Sequence, residues 1–322
     1  MTDVPTVGGT IDSGALGRTL MHEHIFVLTP DVQQNLTGEW DEQARIDDAV
    51  AKLRAVKAAG IDTIVDPTVI GLGRYIPRIM TVAEQVDLTI IVATGAYTYT
   101  DVPNYFRIRG PGTGLDPPDP MTELFVRDLT EGIADTGVRA GFLKCAIDEP
   151  GLTGGVERVL RAVAGAHSRT GAPVMVHTAP RHQTGLDVDR VLTEAGVPPS
   201  SVLLAHSGDS SDADHLSGLA DQGYLLGMDR FGIDNTMSFD ERVAIVVELA
   251  RRGYAERMVL SQDASCYIDW VDPDVLPFLP NWHYLHVVQD VLPALVERGV
   301  TEAQIDAMMV DNPRRWFESA AG

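Results

Sequence analysis

Residues 140–148 read AGFLKCAID. Alternation along an extended chain puts Phe142, Lys144, Ala146 and Asp148 on one face and Leu143, Cys145 and Ile147 on the other. The second set is apolar and suits the side of a sheet that a helix covers. Lys144 then points towards the interior. An unpaired ammonium is costly there, so Lys144 must be paired, neutralised or chemically changed. A salt bridge to an interior carboxylate, Asp148 or Asp263, is the simplest answer.

The same local design recurs along the chain. Short β-branched runs occur at 19–27, 62–68, 89–95, 141–148, 173–178, 202–207, 224–229 and 257–263. Between them lie amphipathic helical patterns such as 41–60, 154–171 and 238–253. Gly60 and Gly171 stand where a glycine ends a helix. Eight strands, each followed by a helix, is the count of a (β/α)8 barrel, expected here as one domain over residues 1–322. A doubly wound sheet competes, but no G-x-G-x-x-G follows the first strand. The G-x-G in GLGRYIPRIM (71–80) follows the second strand and reads as a turn entering a helix.

Acids outnumber bases by 46 to 25, for a net charge of −21. That balance argues against nucleic acid or an anionic membrane as a partner, because phosphate affinity comes mainly from Lys and Arg. No run approaches the length of a membrane-spanning helix, and MTDVPTVGGT lacks the basic start and apolar stretch of a signal peptide. Two cysteines, Cys145 in a buried run and Cys266 in a loop-like stretch, read as thiols in a reducing compartment. The expected location is the cytoplasm.

Five of the eight strands carry a metal-competent residue near the C-terminal end, the end that forms the active-site face of a barrel. In LMHEHIFV (20–27), His22 and His24 share a face and Glu23 projects oppositely. Two such imidazoles can share an ion, although a lone H-x-H also reads as two polar residues at a strand end. PVMVHTA (173–179) and VLLAHSG (202–208) carry His177 and His206. Either alone reads as a hydrogen-bonded core histidine, but the two stand at equal depth on adjacent strands. RMVLSQDA (257–264) supplies Asp263, which alone reads as a loop or capping aspartate. Of nine histidines, four fall at strand ends. Imidazole and carboxylate suit Zn²⁺ and similar ions, and this many ligands suggest two ions close together.

The set MHEHIFV, FLKCAID, VMVHTA, LLAHSG and LSQDA resembles the phosphotriesterase family of the amidohydrolase superfamily over essentially the whole chain. It is similar in particular to the phosphotriesterase-like lactonases, including N-acyl-homoserine lactonases that quench quorum sensing. The resemblance implies that His22, His24 and Asp263 hold the more buried ion, and His177 and His206 the more exposed one. It implies that Lys144 becomes N6-carboxylysine and bridges both, along with a hydroxide. Zn²⁺ is the expected metal, with Co²⁺, Mn²⁺ and Fe²⁺ as alternatives. Tyr97 in ATGAYTYTD (93–101) and Arg230 in GMDRFG (227–232) also match the lactonase pattern, and Tyr99 stands beside Tyr97. Asp263 then moves a proton, while Tyr97 and Arg230 stabilise the oxyanion.

Loop lengths bear on the substrate. Only 231–237 follow the seventh strand, whereas 264–282 follow the eighth, before HYLHVVQDVLPALVERG (283–299) resumes as helix. The long stretch is apolar, and Tyr267, Trp270, Phe278 and Trp282 join Tyr97, Tyr99 and Arg230 as candidate substrate contacts. The alternative is that they pack on the barrel rim or on a dimer partner. The expected partners are a small-molecule lactone and a second copy of the chain, as a homodimer. A phosphotriesterase, another lactone or ester hydrolase, and a non-catalytic metal-stabilised barrel are the alternatives. Asp148 and the Gly/Pro-rich stretch 104–121 have no role that the sequence reveals.

Overall fold

A computed structural model describes residues 2–36, 40–113 and 117–319. The chain begins with an antiparallel hairpin, β1 (Asp3–Thr6) and β2 (Gly9–Asp12). The first barrel strand follows in two halves, β3 (Thr19–Leu20) and β4 (His24–Val27). Then come β5 (Thr63–Asp66), β6 (Thr89–Gly95), β7 (Phe142–Ala146), β8 (Val174–His177), β9 (Val202–Ala205), β10 (Leu225–Met228) and β11 (Met258–Leu260). β12 (Ser265–Ile268) extends the eighth strand after an interruption.

β3 and β5 to β11 form one eight-stranded sheet in sequential order, parallel at every pairing. The two ends meet around the metal-competent residues. β12 pairs in parallel with β4, Ser265 opposite His24. The Asp263 N–H donates to the His22 carbonyl at 3.1 Å and the His24 N–H to the Ala264 carbonyl at 2.8 Å. The result is a (β/α)8 barrel.

The first strand was expected to run unbroken over 19–27. It breaks at Met21, His22 and Glu23 because it changes partner there, from β5 to β12. Residues 264–268, expected as loop, are largely strand for the same reason, and Cys266 is buried in it. The helix expected from 283 opens with a π-type stretch, Val287–Val291, before Leu292–Glu297. Pro293 has no N–H to return to the preceding turn, and the Leu292 N–H reaches back to Val287.

The helical expectations match more closely. Asp41 caps Glu42–Ala58 by accepting from the Ala44 N–H. Gly171 adopts φ 72°, the left-handed turn that ends Gly154–Thr170. Ser238 and Glu241 form a reciprocal cap on Phe239–Arg251. Residues 71–75 turn into the helix Ile76–Ala83.

Alternation sorts the core into two layers. Leu143, Cys145, Val174, Val176, Val202 and Leu204 pack outward under the helices. Phe142, Met175, Leu203, Leu225 and Val259 fill the barrel interior. Val4, Leu16, Trp316 and Phe317 join that inner cluster, with Trp316 5.6 Å from Phe142. Burying each large apolar side chain contributes about 1.5–3 kcal/mol. The interior is therefore apolar below, and the polar residues are left at the C-terminal ends of the strands. Among the described residues no helix is long and apolar enough to cross a membrane.

Candidate active site

The strand ends bring His22, His24, His177, His206, Asp263 and Lys144 around one cavity of about 520 Å³. His206 and Asp263 lie just past their strands with φ 67° and 54°, conformations that non-glycine residues keep only when their surroundings over-determine them.

Each imidazole is oriented by a partner on its outer side. His22 Nδ1 and His206 Nδ1 each lie 2.9 Å from a different oxygen of buried Asp229. His24 Nδ1 lies 2.7 Å from Thr68 Oγ1, whose own hydroxyl donates to Asp66. His177 Nε2 lies 2.8 Å from Asp148 Oδ2. Carboxylates only accept, so the hydrogen-bond network assigns the proton of each of these rings to its outer nitrogen. The remaining nitrogens present lone pairs inward. His177 Nδ1 and His206 Nε2 then face each other at 2.9 Å, and His22 Nε2 and His24 Nε2 each lie 3.3 Å from Asp263 Oδ1. Lone pairs converging on one another and on a carboxylate call for cations between them. This donor set fits divalent metal ions.

Protonation follows the same direction. Burial lowers the pKa of His22, helped by Lys144, and lowers His177 to about 4 against the pull of Asp148. Burial and the Arg230 charge hold His206 well below the ordinary range. These rings are neutral at pH 7 and competent to bind a metal. Burial alone would raise Asp263, but the positive charge that His22 and His206 carry when protonated, with the His24 hydrogen bond, draws it well below the usual carboxylate range. His22, His24 and Asp263 form one metal-competent group. Asp229 lies close enough to share an ion with His22 and His206, but both its oxygens already face ring nitrogens.

Lys144 is 1% exposed, and its Nζ has no hydrogen-bond partner among the described residues. The expected salt bridge to Asp148 or Asp263 is therefore not formed. Asp148 is taken by His177, and Asp263 by His22, His24 and Arg230. Burial lowers the Lys144 pKa to about 8, although Asp263 and Asp229 oppose it. A buried amine without a partner fits a group awaiting chemical change.

Tyr97 and Arg230 flank the cluster. The Tyr97 hydroxyl lies 2.5 Å from that of Tyr99 and 3.3 Å from His177 Nδ1. Burial and the Tyr99 neighbour hold the Tyr97 phenol protonated, far above its ordinary pKa. Arg230 donates to Asp263 at 3.3 Å and to Asp209 at 3.0 Å, and Asp209 is gripped in turn by buried Arg242.

The candidate substrate residues divide. Tyr97, Tyr99, Arg230, Trp270 and Trp282 line the cavity, with Leu72, Ile233, Ile268, Val271, Val275 and Leu279. Trp282 also donates to the Asp263 carbonyl at 3.0 Å, which ties the eighth loop to the site. Tyr267 departs from the expectation. It sits in β12 turned from the cavity, with Trp40 5.3 Å away and the Arg45 guanidinium 3.9 Å over its ring. Phe278 is 82% exposed and lines neither this cavity nor its neighbour, because its short helical turn aims it at solvent.

Within 104–121, residues 114–116 lie outside the described residues. The rest is fastened to the helix Gly154–Thr170, where Arg158 donates to the carbonyls of Phe106 and Arg109 and to Asp119. Asp229, Asp66, Thr68 and Asp209 were not among the expected site residues. GMDRFG was read only for Arg230, although Asp229 directly follows the last residue of β10, Met228.

The Phosphotriesterase family profile matches residues 2–317. A relative called "Phosphotriesterase homology protein" from Mycobacterium tuberculosis is 55% identical over 100% of this chain and 99% of its own. An "Aryldialkylphosphatase" from Saccharolobus solfataricus is 37% identical over 98% of this chain and 99% of its own. The solved structure of the phosphotriesterase from Mycobacterium tuberculosis superposes with a TM-score of 0.97, at 55% identity and 99% coverage of each chain.

Proposed function

The chain belongs to the phosphotriesterase family of metal-dependent hydrolases, and on that premise we propose that it opens lactones, N-acyl-homoserine lactones among them. The observation that carries this reading is the apolar wall beside the polar cluster. Ile268, Trp270, Val271, Val275 and Leu279 of the long eighth loop face the cavity, and only Ile233 and Asn235 come from the short seventh. A ring held at the cluster leaves a place for an aliphatic tail along that wall.

His22, His24 and Asp263 would hold one divalent ion, and His177 and His206 a second, with Lys144 carboxylated between them. Zn²⁺ is the first choice, with Co²⁺, Mn²⁺ or Fe²⁺ as alternatives. Such ions supply Lewis-acid polarisation of a carbonyl and a nucleophilic hydroxide near neutral pH. The protein's own groups do the rest. Tyr97, held protonated, donates a hydrogen bond to the carbonyl oxygen as it gains charge, and Arg230 keeps a fixed positive charge beside it. Asp263 accepts the nucleophile's proton and passes it to the ring oxygen as the acyl C–O bond breaks. The product is the ring-opened hydroxy acid.

The second reading, phosphotriester hydrolysis, has the name of the Saccharolobus relative in its favour. A tetrahedral phosphorus centre resembles the tetrahedral species of lactone opening, so a slow second activity is expected. A series of lactones of increasing tail length separates the two. Each buried methylene contributes roughly 0.8 kcal/mol, about fourfold in kcat/KM, until the wall is covered. Phosphotriesters should be slower by about a hundredfold, or about 2.7 kcal/mol. Trp270→Ala should flatten the length dependence more than it lowers turnover of short lactones. Rates independent of tail length, or phosphotriesters turned over faster than every lactone, overturn the assignment.

The same reading includes a homodimer. Its support is the exposed apolar rim of the eighth loop, Val275, Leu276 and Phe278. Light scattering on the purified protein should give twice the chain mass, 34.8 kDa, and Phe278→Asp should shift it towards the monomer. A monomer at micromolar concentration removes this part of the proposal.

A further inference from the structure

Glu23 lies between two metal-competent histidines, faces away from them, and has no part in the reaction described above. We infer that it is a positioning residue whose carboxylate locks the strand bearing His22 and His24 to the backbone on both sides of Asp263. In this way it sets the geometry of the deeper ion site. The inference rests on the metal-site reading of the preceding subsection.

Glu23 is fully buried and accepts four hydrogen bonds. Its Oε1 takes the Ser261 hydroxyl at 2.9 Å, the Gln262 N–H at 2.8 Å and the Gln262 side-chain amide at 2.7 Å. Its Oε2 takes the Ala264 N–H at 2.9 Å. Every one of these donors belongs to a residue flanking Asp263. The Asp263 N–H itself goes to the His22 carbonyl at 3.1 Å. Three successive N–H groups, at 262, 263 and 264, therefore end on residues 22 and 23.

The direction of each bond is determined. Ser261 Oγ accepts the His22 N–H at 2.9 Å, so its own hydrogen is free to go to Glu23. The Gln262 amide cannot flip, because its Oε1 accepts the Val287 N–H at 2.6 Å and leaves Nε2 for Glu23. Asp263 needs this grip. At φ 54° it occupies a conformation that surroundings must impose, and in that conformation its carboxylate meets His22 and His24. No regular ladder is available here, since β11 ends at Leu260 and β12 begins at Ser265. Glu23 substitutes for the missing ladder.

Glu23→Gln tests this with little change of shape. The amide keeps one acceptor and turns the other end into a donor, opposed to the Ala264 N–H or to the group around Gln262. Ser261→Ala removes a single donor and serves as the milder variant. Each protein, stripped by a chelator, would be titrated with Co²⁺ against a competing chelator while the visible absorption of the bound ion is recorded. Glu23→Gln should weaken Co²⁺ binding by about ten- to a hundredfold, the usual cost of losing an outer partner of a metal site, and should change the visible bands. Ser261→Ala should shift both in the same direction by less. If Glu23→Gln does not fold, the Ser261→Ala result decides. Co²⁺ affinity and bands unchanged in the folded variants, even with a lower melting temperature, make Glu23 a purely structural residue and overturn the inference. An unsubstituted protein that binds no Co²⁺ overturns the metal-site reading, and this inference falls with it.

Discussion

Lys144→Ala is expected to retain little divalent metal and to lose at least about a thousandfold in kcat/KM towards lactones, a loss of about 4 kcal/mol in transition-state stabilisation. The argument starts from an amine that is 1% exposed and has no hydrogen-bond partner. Burial first, against the opposing pull of Asp263 and Asp229, brings its pKa to about 8. Near that pH a large fraction is the neutral amine, the form that attacks CO₂. On carboxylation a new N–C bond would form, one proton would leave to solvent, and the side chain would end as a carbamate anion with two oxygens. Its two oxygens would be ligands for the ions that the imidazoles would hold, at a site where a cationic lysine would oppose metal binding. Acetate or propionate should partly restore metal and activity to Lys144→Ala by supplying the missing carboxylate. Full turnover in Lys144→Ala, or electron density that stops at an unmodified amine in a metal-loaded crystal, would show the assignment to be wrong.

The same group makes a second, opposite demand on stability. In metal-free, unmodified protein the folded pKa of Lys144 lies below its unfolded value of 10.5. The unfolded chain therefore binds more protons between about pH 8 and 10.5, and stability rises with pH across that window. Below about pH 8 the burial cost is fully present. Metal-free Lys144→Met should accordingly melt higher than the unsubstituted metal-free protein at pH 7, by about 1–3 kcal/mol. Function at this site is held against the preference of the fold.

Much of this was legible from residue order. Period-two runs ending in histidine named the strand mouths, and alternation alone turned Lys144 inward. Alternation also put Asp148 on the face of Lys144, but not its bond to His177, which depends on how β7 and β8 lie side by side. Asp229 was harder to read for a physical reason. Its two oxygens orient rings at positions 22 and 206, and nothing local in GMDRFG signals a contact that spans 207 residues. The substrate wall failed in one place for want of a strand. Read as loop, 264–268 offered Tyr267 to the cavity. As β12 it has two faces, and Tyr267 packs under Arg45 and Trp40 while Ile268 reaches the site. Phe278 shows that apolar character alone does not determine which way a loop residue points.

Asp263→Asn is expected to lower kcat by about 10²–10⁴, the span of general acid–base catalysis, while KM for lactones changes little. The carboxylate has two distinct sides. Oδ1 lies 3.3 Å from both His22 Nε2 and His24 Nε2, and Oδ2 is 3.3 Å from Arg230 Nε. Oδ1 thus faces the two histidines of the first strand, while Oδ2, 3.9 Å from His206 Nε2, lies between the cluster and Arg230, where a proton must travel from nucleophile to leaving oxygen. An amide is nearly isosteric, so Glu23 and the His22 carbonyl should still hold the backbone at 262–264 in place. What it lacks is the negative charge that the neutral imidazoles and Arg230 surround, and any basicity. Its pKa lies well below the usual carboxylate range, so it is ionised near neutral pH, where the variant and the unsubstituted protein are compared. Metal content of the variant separates the two roles. If Asp263→Asn keeps its ions and still loses turnover, the proton-transfer role stands alone. If the ions are lost but excess Co²⁺ restores full rate, ligation was its whole contribution. A loss of less than tenfold in kcat with the ions in place would remove Asp263 from proton transfer and leave that task to another group.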